Sequence, residues 1–481
     1  MDILENLNGP QVEAVTHREG PCLVLAGAGS GKTRVLTRRV AYLVDQGVPP
    51  HQILAITFTN KAAQEMRERI MDLIPNFYGQ WIRTFHSASY QILRMEIEKL
   101  GYRHGFTILD EGEQKAVIKE CLRELQQQDT KPEVISYLIK QAKNSLAEPE
   151  QFFAGIRAAP HHRELYSQVF RLYSSRLREL NVLDFEDLIG LTVKLFQAHP
   201  AVLQSYRERF QYVMIDEYQD TNYAQFVWAK LLAGENGNAF VVGDPDQSIY
   251  SWRGAEPYNI ERFLETYPQA KVIKLEKNYR STRYILDAAN AIILNNTGRL
   301  KKELFTDNPE GEKLLQFGAA SHHQEAEFIA QFIKQLVKEK KYRYQDFAIF
   351  YRVHAQSRVI EEVLNRHFIP YRILGAMKFY QRKEIKDILA YLRLVANPSD
   401  RMSFRRAINT PRRGVGEVTI KKLEDLSSET MKPIVEILSD IQGRKGYSGK
   451  IKNSLQDFYG LITYLRELAP RVSLAGLLEE T

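Results

Sequence analysis

Apolar residues along this chain fall into two rhythms. Short unbroken runs occur at Cys22–Ala26, Ile53–Thr59, Tyr212–Asp216 and Ala239–Gly243. Each is too short for a core helix and is rich in Val, Ile, Leu or Phe, as in strands buried on both faces of a parallel sheet. Gln80 to His86 and Lys271–Leu275 read as further short strands. Between them lie stretches with helical spacing, Thr33 to Gln46 and the residues from Asn60 onward. Strand, helix, strand, helix predicts an open parallel sheet. From Glu111 to about Gln197 the spacing is almost wholly helical and the faces are charged, which predicts a helical insertion in the sheet domain.

A second α/β set is predicted from Leu314. It comprises a strand near 314–317, a helix His322–Glu339, a strand Phe347–Tyr351, a helix Ser357–His367 and a strand near Tyr371–Leu374. Beyond Glu384 the chain reads as helical and basic. The fold class is α/β. A first sheet lobe spans 1–108 and 204–278, interrupted by a helical domain over 109–203. A second, partial lobe follows over 279–381, then an incomplete helical accessory domain over 382–481.

Composition changes this picture little. With 481 residues and 44% hydrophobic content the chain can bury several cores. Lys plus Arg number 66 against 59 acidic residues, a net +7 that tilts only slightly towards a polyanionic partner. Two cysteines, Cys22 and Cys121, suit a reducing cytosol. Residues 1–20 carry charges throughout, unlike a signal peptide, and no uncharged apolar stretch reaches the ~18 residues of a membrane span. No Cys or His spacing suggests a zinc site.

The chemistry begins where the first run ends. Ala26-Gly27-Ala28-Gly29-Ser30-Gly31-Lys32-Thr33 joins a strand to a helix and has the pattern of a phosphate-binding loop, with Ala26 where a first glycine is usual. Its glycines let backbone N–H groups turn towards phosphate oxygens, and the helix N-terminus adds positive charge. Lys32 is expected between the β- and γ-phosphates and the Thr33 hydroxyl on Mg²⁺. A later strand ends in Asp216-Glu217, a metal-holding carboxylate beside a general base for water. Another ends in VGDPDQSIYSWR, where Gln247 can sense the γ-phosphate or orient the water. Tyr250 and Trp252 follow within a few residues. They can stack on bases or equally fill a domain interface.

These segments, in order, resemble the UvrD/Rep/PcrA family of superfamily 1 DNA helicases. The resemblance rests on LNxxQ at 7–11, AGAGSGKT at 26–33, ITFTNKAAQEM at 56–66, TFHS at 84–87, DFEDL at 184–188, DEYQDTN at 216–222, VGDPDQSIYSWRGA at 242–255, LEKNYRS at 275–281 and FYQRKEIKDILAYLRL at 379–394. It implies RecA-like P-loop NTPase lobes, ATP and Mg²⁺ as cofactors, and 3′→5′ movement on single-stranded DNA and duplex junctions. It further implies work in DNA repair, replication or recombination in a bacterial cytosol and nucleoid. By resemblance Gln11 reads the adenine edge, Arg34 packs near the base, Tyr279 stacks on adenine and Arg280 is an arginine finger.

Phe58, His86, Tyr250 and Trp252 resemble residues lining the DNA channel, with Phe185 a weaker candidate. Phe58 also suits a core aromatic at a strand end, and His86 a structural histidine. TPRRGVG at 410–416 resembles a helix-hairpin-helix turn or an ordinary basic turn. Two later motifs of the family are not found by residue 481, so the chain is expected to lack the C-terminal part. The alternative expectation is therefore a truncated ATP- and DNA-binding protein without processive unwinding. A phosphate-loop kinase or transporter ATPase is disfavoured by the helical insertion and the aromatic segment.

Overall fold

The computed structural model describes residues 2–480 other than 76, 78, 80, 236, 252, 253, 257, 297–299 and 375–382. They form two compact units, Met1–Glu312 and Lys313–Thr481.

The first unit is built on a six-stranded parallel sheet. Its strands are β1 (Cys22–Ala26), β2 (Ile53–Thr57), β3 (Ile82–Thr84), β6 (Tyr212–Ile215), β7 (Asn238–Gly243) and β8 (Lys271–Leu275). The short strands β4 (Thr107–Ile108) and β5 (Val182–Leu183) pair separately. In space the large sheet runs β3-β2-β6-β7-β1-β8. The unbroken apolar runs of β1, β2, β6 and β7 are explained by burial on both faces, whereas β8 at the sheet's edge leaves Lys271, Val272 and Lys274 exposed. Leu23, Leu25, Leu54, Ile56, Val213 and Val241 point to one side and meet the helices Phe85–Glu96, Phe185–Ala198 and Tyr223–Ala233. Cys22, Val24, Ala26, Ala55, Met214 and Val242 point to the other and meet Lys32–Asp45 and Asn60–Leu73. The strand period of two thus divides one sequence run between two cores.

Three differences from the sequence reading are informative. The strand expected over 80–86 ends at Thr84, and His86 lies on the next helix. Thr84 stops the strand because it caps that helix. Ser87 N donates to Thr84 Oγ1 at 3.2 Å, and Thr84 N donates to Ser87 Oγ at 3.0 Å. Second, Ile189, Val193 and Phe196 of the helix Phe185–Ala198 join the sheet's core, although their sequence position falls within the expected insertion. The helices Glu111–Glu124, Pro132–Asn144 and Pro160–Leu180 make up the body of that insertion.

Third, the second unit contains no strand among its described residues. The helices His322–Lys338 and Ser357–Arg366 form as expected and pack through Ala326, Ala330, Ile333, Val363 and Leu364. The apolar segments around Leu314, Phe347 and Tyr371 carry no strand, and Phe350 is 93% exposed. An extended run becomes a strand only when a neighbouring strand pairs with it in a ladder, and no such ladder forms among the described residues here. From Lys383 the unit is helical, with a core of Tyr391, Leu394, Phe404, Leu423, Phe458 and Ile462. In the turn at 410–416, Arg412 is exposed. Arg413 donates to the Ala407 carbonyl at 3.1 Å and lies over the Phe458 ring.

Candidate nucleotide site

Strands β1, β6 and β7 are neighbours or next-neighbours in the sheet, and all run the same way. The glycine loop, Asp216-Glu217 and Asp244–Gln247 therefore emerge together at one edge. That edge is the crevice where parallel sheets bind ligands.

The loop is held from outside by three donors. Asn278 Nδ2 donates to the Ala28 carbonyl at 2.6 Å, Tyr279 N to Gly29 at 3.0 Å and Gln11 Nε2 to Ser30 at 2.9 Å. Its carbonyls are engaged outward, which suits a loop whose N–H groups serve an anion. Gly29 and Gly31 adopt φ of +66° and +91°. A Cβ on Gly29 would stand 2.7 Å from both Arg280 Cβ and Asn278 Nδ2, so only glycine fits.

Within the crevice Lys32 Nζ donates to Glu217 Oε2 at 2.7 Å and to Gln247 Oε1 at 3.3 Å. Thr33 Oγ1 faces Asp216 Oδ2 at 3.5 Å. Asp216 is buried, and burial, reinforced by the neighbouring Glu217 charge, pushes its carboxyl up to about 6. A hydroxyl and one carboxylate are hard oxygen donors. They match Mg²⁺, which takes few protein ligands beside phosphate and water, so Thr33 and Asp216 fit the metal. Glu217 stands at φ +49°, ψ 45°, a left-handed conformation uncommon for a residue with a side chain. Gln219 ties the two later motifs together: its Nε2 donates to Glu217 Oε2 at 2.8 Å, and its Oε1 accepts from Asp244 N at 2.9 Å.

The residues expected around a base are spread over the loop's outer side. Gln11 is fully buried. Besides Ser30 it accepts from Asn8 N at 3.0 Å, and both amide ends keep capacity for one more bond. Asn8 Nδ2 in turn donates to the Tyr279 hydroxyl at 2.8 Å, and Lys277 Nζ lies 5.4 Å from that ring's centre. Tyr279 is 44% exposed, Arg280 is exposed and Arg34 is half-buried.

Phe58 and Tyr250 stack with ring centres 5.4 Å apart. Together with Thr33, Asp216, Glu217 and Gln247 they line one cavity of about 370 Å³. His86 and Phe185 meet edge-to-face at 5.9 Å, and burial pushes the His86 imidazole down to about 4, so it is neutral at pH 7. Trp252 lies outside the described residues. Sequence reasoning passed over Gln219, Asp220, Asp244, Asn278 and Lys302. Asp220 lines the same cavity. Its Oδ1 has no partner among the described residues, and burial pushes its carboxyl up to about 6. Gln219, Asp220, Asp244 and Asn278 stand inside the quoted motifs and could have been found there.

Comparison with known proteins agrees with this geometry. The UvrD/REP helicase N-terminal domain matches residues 7–268, and the UvrD-like helicase C-terminal domain matches residues 273–457. The chain belongs to the UvrD/REP helicase family. The expectation that the C-terminal part is missing is corrected by the second match, which covers most of the second unit. The chain is 46% identical over 482 residues to an ATP-dependent DNA helicase PcrA of Bacillus subtilis, covering 99% of this chain and 65% of that protein. The corresponding figures for the PcrA helicase of Staphylococcus aureus are 44% over 467 residues, 96% and 63%. For that of Leuconostoc citreum they are 42% over 482 residues, 99% and 64%. The chain thus spans a little under two thirds of the length of these relatives. No helix among the described residues is long and apolar enough to cross a membrane.

Proposed function

We propose that this chain hydrolyses ATP to move 3′→5′ along single-stranded DNA and opens duplex at junctions. It would serve DNA repair, replication or recombination in the bacterial cytosol and nucleoid. One observation carries the reading. The cavity lined by Thr33, Asp216, Glu217 and Gln247 is also lined by the stacked Phe58 and Tyr250. Family membership and the PcrA relatives, ATP-dependent DNA helicases by name, support ATP use and the DNA substrate, while the polarity and the setting are what the motif resemblance implies.

The steps follow from the contacts. Lys32 exchanges Glu217 for phosphate oxygens when ATP enters. The released Glu217 carboxylate takes a proton from the attacking water, which Gln247 orients. Thr33 and Asp216 would hold Mg²⁺, whose charge stabilises the leaving phosphate. Arg280 would add positive charge to the γ-phosphate. Gln247 precedes Tyr250 by only three residues, so a shift of this segment with the phosphate also shifts the aromatic stack. Bases stacked there contribute ~1–3 kcal/mol each, enough to bias a step along the strand. The test is unwinding of duplexes bearing a 3′ or a 5′ single-stranded tail. Opening of the 3′-tailed duplex alone is expected. Opening of the 5′-tailed duplex alone, or of neither, would overturn the proposal.

A further inference from the structure

A buried ion cluster lies beneath Gln247, and its cation, Lys302, lies outside every motif used above. The side chain of Lys302 is 3% exposed, and its ammonium donates to Asp244 Oδ1 and Asp246 Oδ2. Asp244 Oδ2 accepts from Gln247 Nε2, and Gln247 Oε1 accepts from Lys32 Nζ at 3.3 Å. A continuous chain therefore runs from Lys302 through Asp244 and Gln247 to Lys32 and Glu217.

An amide side chain has one donating end and one accepting end. Asp244 as a carboxylate only accepts, so Nε2 must face it. Oε1 must then face Lys32 and the place of the attacking water. Carboxylates gathered away from water call for a paired cation. Lys302 is that cation. It reaches the site on a segment fixed beside the phosphate loop: Phe305 N donates to the Glu276 carbonyl at 3.1 Å, and Asn278 N to the Phe305 carbonyl at 2.8 Å. Asn278 also holds the loop through Ala28.

We infer that Lys302 is a positioning residue for ATP hydrolysis. By holding the Asp244 carboxylate through Oδ1 it leaves Oδ2 to Gln247 Nε2, and so fixes which end of the Gln247 amide faces the nucleotide. This deepens the function proposed above and rests on it. Without the ammonium, the Asp244 carboxylate is no longer held in place, and Gln247 loses the fixed acceptor that orients it. Asp244→Asn gives the same result by a milder route. Lys302 would hold the asparagine oxygen, leaving its NH₂ towards Gln247, which must then turn Oε1 inward and present Nε2 to Lys32.

The test uses the full chain with Lys302→Met, Asp244→Asn, Gln247→Ala and the Lys302→Met/Gln247→Ala double variant. DNA-stimulated ATP hydrolysis is followed with the NMR signal of the Gln247 side-chain amide, assigned by its loss in Gln247→Ala. Lys302→Met and Asp244→Asn should each lower kcat by roughly tenfold or more and leave KM for ATP nearly unchanged. The double variant should be no slower than Gln247→Ala alone, and the amide signal should move in both single variants. Additive losses, unchanged kcat, or a raised KM with intact kcat would overturn the inference. Asp244→Asn preserves volume and covers the case in which Lys302→Met fails to fold. If the unsubstituted chain hydrolyses no ATP, the proposed function falls. The amide signal still decides the positioning role, since an unmoved signal in both variants refutes it.

Discussion

Glu217→Gln separates the two tasks assigned to this carboxylate. It holds Lys32 at 2.7 Å in the structure and is assigned the proton of the attacking water. The Coulomb attraction at that distance is roughly 6 kcal/mol for an effective dielectric of about 20. Glu217 keeps 34% of its side-chain surface in water, so screening and desolvation reduce the net value to about 1 kcal/mol. Glutamine is isosteric. Its amide oxygen still accepts from Lys32 or Gln219, but it takes no proton at neutral pH. Lys32 then leaves for phosphate against a weaker hold, which strengthens ATP binding by about fivefold at most. Turnover should fall by roughly 10²–10⁴, the range for loss of a general base. Fluorescent-nucleotide titration gives the first number and phosphate release the second. Turnover within tenfold of the parent, or ATP binding lost along with it, would refute the assignment.

Other outcomes follow from the same contacts. The Asp216 carboxyl is raised from 3.8 to about 6, so its ionised form destabilises the fold, and the penalty grows as pH rises from about 4 through 6. Asp216→Asn should therefore stabilise the nucleotide-free chain by about 2–3 kcal/mol at pH 8 and not at pH 4. Denaturant melts at both values check this, and equal gains would contradict it. Gly29→Ala forces a Cβ against Arg280 and Asn278 at a positive φ. It should cost about 1–2 kcal/mol from backbone conformation alone and abolish nucleotide binding, as read by calorimetry. Phe58→Ala should weaken single-stranded DNA binding by ~1–3 kcal/mol in fluorescence anisotropy, with ATP affinity unchanged. An equal loss of both ligands would place Phe58 in the core rather than on the DNA path.

The parts legible in the sequence were those set by local pattern. Cys22–Ala26 could be read as a central strand because every residue in it is buried, and the loop, Asp216 and Glu217 follow strand ends directly. Two kinds of feature escaped. At Thr84–Ser87 a four-residue cap overrode an apolar run that reads equally well as strand. Around Leu314, Phe347 and Tyr371 the composition favours strands, but pairing is non-local and no described residue supplies it. The site was limited in the same way. Asn278 reaches Ala28 across 250 positions, and Lys302 reaches Asp244 across 58. In the sequence Lys301-Lys302-Glu303 resembles any solvated charge run. Only the fold reveals that one of its lysines is buried beneath Gln247.

The central claim is that one cavity joins the nucleotide site to a DNA-binding aromatic stack. It is tested most directly by the rate of ATP hydrolysis by this 481-residue chain with and without single-stranded DNA. The account predicts slow hydrolysis alone and a large, saturable acceleration when DNA is added. Equal rates in the two conditions would contradict it.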